Sequence, residues 1–284
     1  MARCPVCKTE CGESTRCSSC GFDDIRSEFL NQEEYDFWVK NIVKAYKPIH
    51  EIDYSDFKIN GPVLYCARLD AYVGNSSEVI IPSGITRIAK GAFANNKKIT
   101  RVVLSADIRE IGDNAFENCE NLIEICLPEK LKKIGEYAFL NCKSLKEIEF
   151  LSMTNSIGAY AFYGCLSLAS VKFSATASPL SIGEKAFADC SSLLEVDYPL
   201  TGSQIRVGDR CFLNCISLKR MVIPQNLSLG YSVFQNCNLT IFLEKHFRQW
   251  TWLGSKNSRV FAQGTWHYEG KYAVPNEKAY EHLV

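Results

Sequence analysis

The sequence predicts an α/β repeat fold. It reads as a solenoid of stacked short units carrying a parallel sheet, with a helical cap on its N-terminal side and a small cysteine-rich knuckle before that. Three observations predict it. Phenylalanines recur at Phe93, Phe116, Phe139, Phe162, Phe187, Phe212 and Phe234, at intervals of 23, 23, 23, 25, 25 and 22 residues. Chance does not produce that series. Two Cys-x-x-Cys pairs stand in the first 20 residues, and an amphipathic stripe separates them from the repeats.

The bulk composition is that of an ordinary globular chain. It has 284 residues, 46% hydrophobic and 23% charged, far from the disordered and fibrous classes. Lys plus Arg equals Asp plus Glu at 32 each, which excludes a global field for nucleic acid or anionic membrane. No segment approaches the roughly 18 apolar residues of a membrane span. The first 21 residues lack the apolar core of a signal peptide, so a cytoplasmic location is expected. In that reducing setting the 14 cysteines point to metal ligands and buried thiols rather than disulfides.

Residues 1–26 form the predicted knuckle. Cys4-Pro-Val-Cys7 and Cys17-Ser-Ser-Cys20-Gly21 each make a tight turn that puts two sulfurs on one side, and two such turns present four thiolates to tetrahedral Zn²⁺. The segment resembles zinc-ribbon domains written C-P-x-C…C-x-x-C-G. One structural zinc held by Cys4, Cys7, Cys17 and Cys20 is therefore expected. A closed four-sulfur site leaves no open position for substrate or water. Cys11 is a fifth thiol, either free or a competing ligand. A redox reading of the pairs would need a thioredoxin-like βαβ frame, which the sequence lacks. Arg3, Lys8 and Arg16 either offset the thiolate charge or, with Arg26, contact phosphates.

Residues 27–57 read as a helical linker and cap. Asn31 is a capping residue, and Glu33 and Glu34 favour a first turn. Tyr35, Trp38, Val39, Ile42, Val43 and Tyr46 follow at helical spacing, and Pro48 closes the segment. The apolar stripe serves as a cap or as a partner-binding helix. Phe57 to Pro82 reads as strands leading into the first unit.

Residues 58–240 hold about seven units. Five residues before each Phe stands Ile88, Ile111, Ile134, Ile157, Ile182, Val207 or Leu229. Three after it stands Asn96, Cys119, Cys142, Cys165, Cys190, Cys215 or Cys237. A Leu or Ile follows, then an alternating stretch such as Val102-x-Leu104 or Ile148-x-Phe150, the mark of a half-buried strand. Each unit should give one strand and a short helical or irregular return. The Cys column reads as small buried side chains, with redox sensing and metal binding as the alternatives. Two units carry extra residues after the strand, so 174–181 and 199–206 should project side by side, on what is often the binding face of a solenoid.

The recurring phrase, as in Ile111-Gly-Asp-Asn-Ala-Phe-Glu-Asn-Cys-Glu-Asn-Leu122, resembles the BspA-type leucine-rich repeat family over roughly residues 58 to 240. The resemblance implies a curved solenoid that binds other macromolecules. Some members are surface adhesins with export signals, an adhesin-like role that stands here as an alternative. Residues 241–284 break the pattern and read as a C-terminal cap. Trp250, Trp252, Trp266 and Tyr268 form either an aromatic lid or an exposed patch.

No phosphate-binding glycine loop, nucleophile elbow or H-E-x-x-H motif is present. The expected function is a non-enzymatic protein-interaction scaffold. By strand parity its candidate partner face comprises Arg101, Glu124, Glu147, Glu149, Lys172, Glu195, Asp197 and Arg220, acidic in the middle and basic at the ends. The rival is nucleic-acid binding through the knuckle.

Overall fold

The structure, a computed structural model, describes residues 55–60, 67–151, 153–174, 179–198, 202–244, 259–261, 266–269 and 272–276. The expected zinc knuckle and the expected helix over 31–46 lie outside the described residues.

Each unit contributes two strands, not one. The alternating stretches form the expected parallel pairs, which make sheet B. It consists of three three-stranded runs: Glu78–Ile80, Arg101–Val103 and Glu124–Cys126; then Glu147–Phe150, Ser170–Phe173 and Glu195–Asp197; then Arg220–Ile223, Thr240–Leu243 and Arg259–Phe261. The Ile column, read as part of the return, is itself a strand. It builds a nine-stranded sheet A through Phe57–Asn60, Ala67–Tyr72, Ile85–Ile88, Glu110–Ile111, Lys133–Ile134, Ser156–Ile157, Leu180–Ile182, Ile205–Val207 and Leu227–Leu229. Among the described residues there is no helix, so the return is a succession of turns. Strands of two or three residues are too short to show an alternating pattern, which is why periodicity passes over them.

The glycine after the Ile column explains how closely successive units stack. A Cβ on Gly158 would lie 2.5 Å from both Glu136 N and Gly135 C of the unit before. No side chain fits between these backbones. A third backbone ladder runs through the turns. Phe93 N donates to Ala115 O at 2.8 Å, Phe116 N to Ala138 O at 2.7 Å and Phe139 N to Ala161 O at 2.7 Å.

The core is a stack of identical columns. Phe93, Phe116, Phe139, Phe162, Phe187, Phe212 and Phe234 are all buried. Their ring centroids are spaced 4.7, 5.0, 4.9, 5.1, 5.6 and 5.8 Å apart, with planes within 10° of parallel. A second stack, Phe150, Phe173 and Tyr198, continues at 4.8 Å per step, and Phe150 meets Phe162 edge-on. Such contacts add to the burial of large apolar area.

Both ends of the described stack have antiparallel hairpins. At the start, Tyr72 takes the Phe position and stacks on Phe93 at 5.3 Å. Phe57–Asn60 pairs antiparallel with Ala67–Tyr72 and ends sheet A. This is the strand lead-in expected from Phe57 onward. At the other end, Trp266–Glu269 pairs with Tyr272–Pro275. This hairpin lies on the outer face of sheet B, where Ala273 packs on Phe242 beside Val222.

Candidate interaction surfaces

Sheet B places the predicted face in two parallel rows. Its inward side chains, from Val102 and Leu104 to Met221 and Ile223, join the core. Register then aligns the outward positions. Glu78, Arg101 and Glu124 are neighbours, as are Glu147, Ser170 and Glu195, and Glu149, Lys172 and Asp197. Arg101 is half-buried and the other seven predicted residues are exposed.

The rows are not electrostatically uniform. Arg101 Nε lies 3.4 Å from Glu124 Oε2, so the N-terminal end is largely self-neutralised. Arg220 Nη1 is 3.5 Å from the Ala273 carbonyl, beneath the C-terminal hairpin. In the middle, Glu147, Glu149, Glu195 and Asp197 surround one cation, Lys172. No ion pair among the described residues engages any of these five. The hydroxyl of Ser170 donates to Glu195 Oε1 at 3.2 Å. Tyr268 reaches toward this patch from the hairpin. Its phenol is raised by burial first and by the charges of Glu244 and Asp197 after it.

Other charges are spent within the solenoid. On sheet A, Glu110 takes Arg87 at 2.6 Å and Lys133 at 3.5 Å. On the turn edge, Glu120 takes Lys97 at 2.6 Å and Lys143 at 3.4 Å. Both triplets step from unit to unit at one repeat position.

The Cys column has a defined structural role. Each thiol donates to the carbonyl of the Phe in the preceding unit. Cys119 Sγ reaches Phe93 O at 3.1 Å, Cys142 reaches Phe116 O at 3.2 Å and Cys165 reaches Phe139 O at 3.3 Å. Cys190, Cys215 and Cys237 repeat the contact at 3.3, 3.2 and 3.0 Å. Burial pushes the Cys119 thiol up to about 12 and holds Cys142, Cys165 and Cys190 well above their ordinary value. A thiol that stays protonated is a poor nucleophile and a poor metal ligand. Asn96 heads the column and accepts from the Lys98 and Ile99 amides instead.

A side-chain amide ladder, which residue spacing alone does not announce, runs two residues after the Phe column. Asn118 Nδ2 donates to Asn95 Oδ1 at 3.0 Å, and Asn141 Nδ2 to Asn118 Oδ1 at 3.0 Å. Further along, Asn214 Nδ2 donates to Asp189 Oδ1, and Asn236 Nδ2 to Asn214 Oδ1 at 2.8 Å. All six residues have positive φ, from 55° to 62°, where Asn and Asp are enriched. The signal was present as a column of Asn, Asp and one Gly. Gly164 interrupts it. A shallow cavity of about 420 Å³ opens there, lined by Asn141, Tyr163, Gly164, Leu166, Asp189 and Ile216 among others.

The two insertions are only partly described, since 175–178 and 199–201 lie outside the described residues. Their C-terminal ends are neighbours: Leu180–Ile182 pairs with Ile205–Val207, and Leu180 N donates to Gln204 O at 3.0 Å. The zinc candidates Cys4, Cys7, Cys17 and Cys20 lie outside the described residues. So do Trp250 and Trp252.

Comparison with known proteins matches this geometry. The chain resembles the T. pallidum Leucine Rich Repeat protein at 30% identity and a TM-score of 0.58, over 66% of this chain and 89% of that one. A leucine-rich repeat protein from Eubacterium ventriosum shares the fold at 21% identity and a TM-score of 0.55, over 73% of this chain and 55% of that one. No curated protein matches the chain. The family described as BspA type Leucine rich repeat region matches residues 71–193 and 121–240, in six copies. With the repeat phrase, the two sheets and the stacked Phe column all in register, the chain belongs to the BspA-type leucine-rich repeat family.

Proposed function

We propose that the chain is a non-enzymatic protein-interaction scaffold, and that the outer face of sheet B receives a partner presenting basic residues. One observation carries the reading. Glu147, Glu149, Glu195 and Asp197 are exposed on adjacent strands with no ion pair among the described residues, whereas the charged triplets on sheet A and the turn edge are neutralised from within. An uncompensated patch steers and orients an oppositely charged partner. The test is affinity capture with all four carboxylates reversed to lysine. Loss of partners that the unchanged chain retains is the expected result. An unchanged partner set rules this face out.

The proposal includes one structural Zn²⁺ on Cys4, Cys7, Cys17 and Cys20, and a cytoplasmic location, which the unpaired thiols of the described Cys column fit. Residues 1–25 hold few large apolar side chains, too few to offset about 1–2 kcal/mol of backbone entropy per residue. Zinc binding, about 10–16 kcal/mol in small fingers, supplies the difference. Elemental analysis of freshly purified protein should find one zinc per chain. A chelator should leave the repeat unfolding transition in place. Protein free of zinc, or a whole-chain collapse on chelation, contradicts this division.

A further inference from the structure

We propose that the break in the amide ladder at Gly164 is a recognition slot for an arginine side chain of a protein partner. The slot lies on the turn edge rather than on sheet B, so it is a second contact point, independent of the acidic face.

The ladder has a direction. Each Asn amide donates to the side chain of the unit before it. At Gly164 no side chain is present to donate to Asn141 Oδ1, and among the described residues nothing else does so. In the following unit the ladder residue is Asp189, which is acceptor-only when ionised. One wall of the slot therefore ends in a carboxamide oxygen and the other in a carboxylate. Both walls call for donors, and one carries negative charge.

The surroundings select among donors. Asp189 accepts from Asn214 and lies beside the Tyr163 phenol, which it raises above its ordinary value, with burial adding to the shift. These contacts orient the carboxylate without neutralising it. No ion pair among the described residues engages Asp189. Of the nearby cations, Lys143 is held by Glu120 at 3.4 Å, and Lys185 by Glu184 at 3.3 Å and the Tyr160 hydroxyl at 2.8 Å. Two steps of the stack, 4.9 and 5.1 Å by the Phe rings, separate the units carrying the two walls. A lone ammonium satisfies one wall. A planar guanidinium with five donors can address both. On the rim, Leu166 and Ile216 are 43% and 57% exposed, which suits the methylene stem of an arginine and its apolar neighbours.

The ladder also supplies the variant that tests this. Gly164 has φ +70°, a conformation Asn adopts at the same position in other units. A Cβ there would press only on Asn141 Oδ1, at 2.6 Å, with the rest of Asn141 at ordinary contact distance. That is the end of a side chain that can turn to accept an amide, as its counterparts do. Gly164→Asn should therefore fold and fill the slot. The probe is the blocked peptide acetyl-Leu-Arg-Leu-amide, titrated into the full-length chain and followed by NMR amide shifts. We expect saturable binding at millimolar peptide with the largest shifts around Gly164 and Asp189. Gly164→Asn and Asp189→Asn should each weaken it by about tenfold or more. The lysine analogue should bind several-fold more weakly. Reversing Glu147 and Glu149 should change nothing, which separates this slot from the acidic face. No saturable shift in the unchanged protein, equal binding by Gly164→Asn, or equal binding of the lysine peptide overturns the proposal.

Discussion

The two sides of sheet B follow different rules on the same strands. Facing inward, Val102, Ile125, Ile148, Val171 and Met221 are all apolar and buried. Facing outward at one repeat position stand Ile80, Val103, Cys126, Glu149, Lys172, Asp197, Val222 and Phe242. That row is apolar where the stack begins, charged in its middle and apolar again beneath the hairpin. Stacking demands that every unit present a matching apolar surface to its neighbours, so the inner columns vary in size, as from Leu104 to Phe150, but stay buried and largely apolar. The outward row bears no such demand. Its variation marks what each part of the solenoid faces: solvent, its own hairpin, or the partner proposed above.

The sharpest way to break the inner columns is to charge them. The folded chain holds Cys119 protonated to about pH 12, against an ordinary value of 9.0, because burial disfavours the thiolate. Cys142, Cys165 and Cys190 are raised for the same reason. Between these values the unfolded chain has released protons that the folded chain retains. Stability is therefore complete below pH 9 and falls as pH rises from 9 toward 12. Urea midpoints should decline steeply over that window. Replacing Cys142, Cys165 and Cys190 together by alanine should flatten the decline. Thiol reagents at neutral pH should react with these cysteines only on denaturation. Fast labelling of the native protein would mean the column is not the sealed thiol ladder described here.

Removing a ring tests the comparison directly. Phe162 stacks on Phe139 and Phe187 and meets Phe150 edge-on, so Phe162→Ala opens a cavity shared by three units. The expected loss is about 3–5 kcal/mol, read by urea unfolding. Lys172→Ala on the outer row should stay within about 0.5 kcal/mol. Similar losses for the two would mean that the inner and outer rows are not distinct in energy.

What was legible follows from residue size and spacing. The Phe, Cys and Leu columns and the sheet B strands stood out because apolar side chains recur in register over several positions. The second sheet was not legible. Glu110–Ile111 and Lys133–Ile134 are two residues long, and Ile111 alone cannot distinguish a strand from a turn. The amide ladder was visible only as letters. Asn at Asn118 reads as an ordinary turn residue until Asn95 and Asn141 are seen to lie within hydrogen-bond reach. The charges of the predicted face were readable from parity. Which of them are already neutralised was not, because the pairing of Arg101 with Glu124 depends on register between units.

The smallest effect separates two reasons for an asparagine in the ladder. Asn118 both adopts a left-handed backbone, φ 55°, and links Asn95 to Asn141. Asn118→Ala loses both roles. A Cβ residue without a local polar contact disfavours that conformation by about 1–2 kcal/mol, and the two lost hydrogen bonds, one exposed and one part-buried, add about 0.5–1.5 kcal/mol. Asn118→Gly keeps the backbone and loses only the bonds, plus a small penalty from the freer unfolded chain. Gly164 shows that the stack accepts glycine at this repeat position. If the bonds matter, Asn118→Gly should still cost about 1 kcal/mol, with Asn118→Ala costing roughly twice that. If glycine is neutral while alanine is not, the column is asparagine for its backbone alone. Both substitutions being neutral would mean the ladder contributes nothing to the fold, leaving Asn118 as free to vary as the outward row of sheet B.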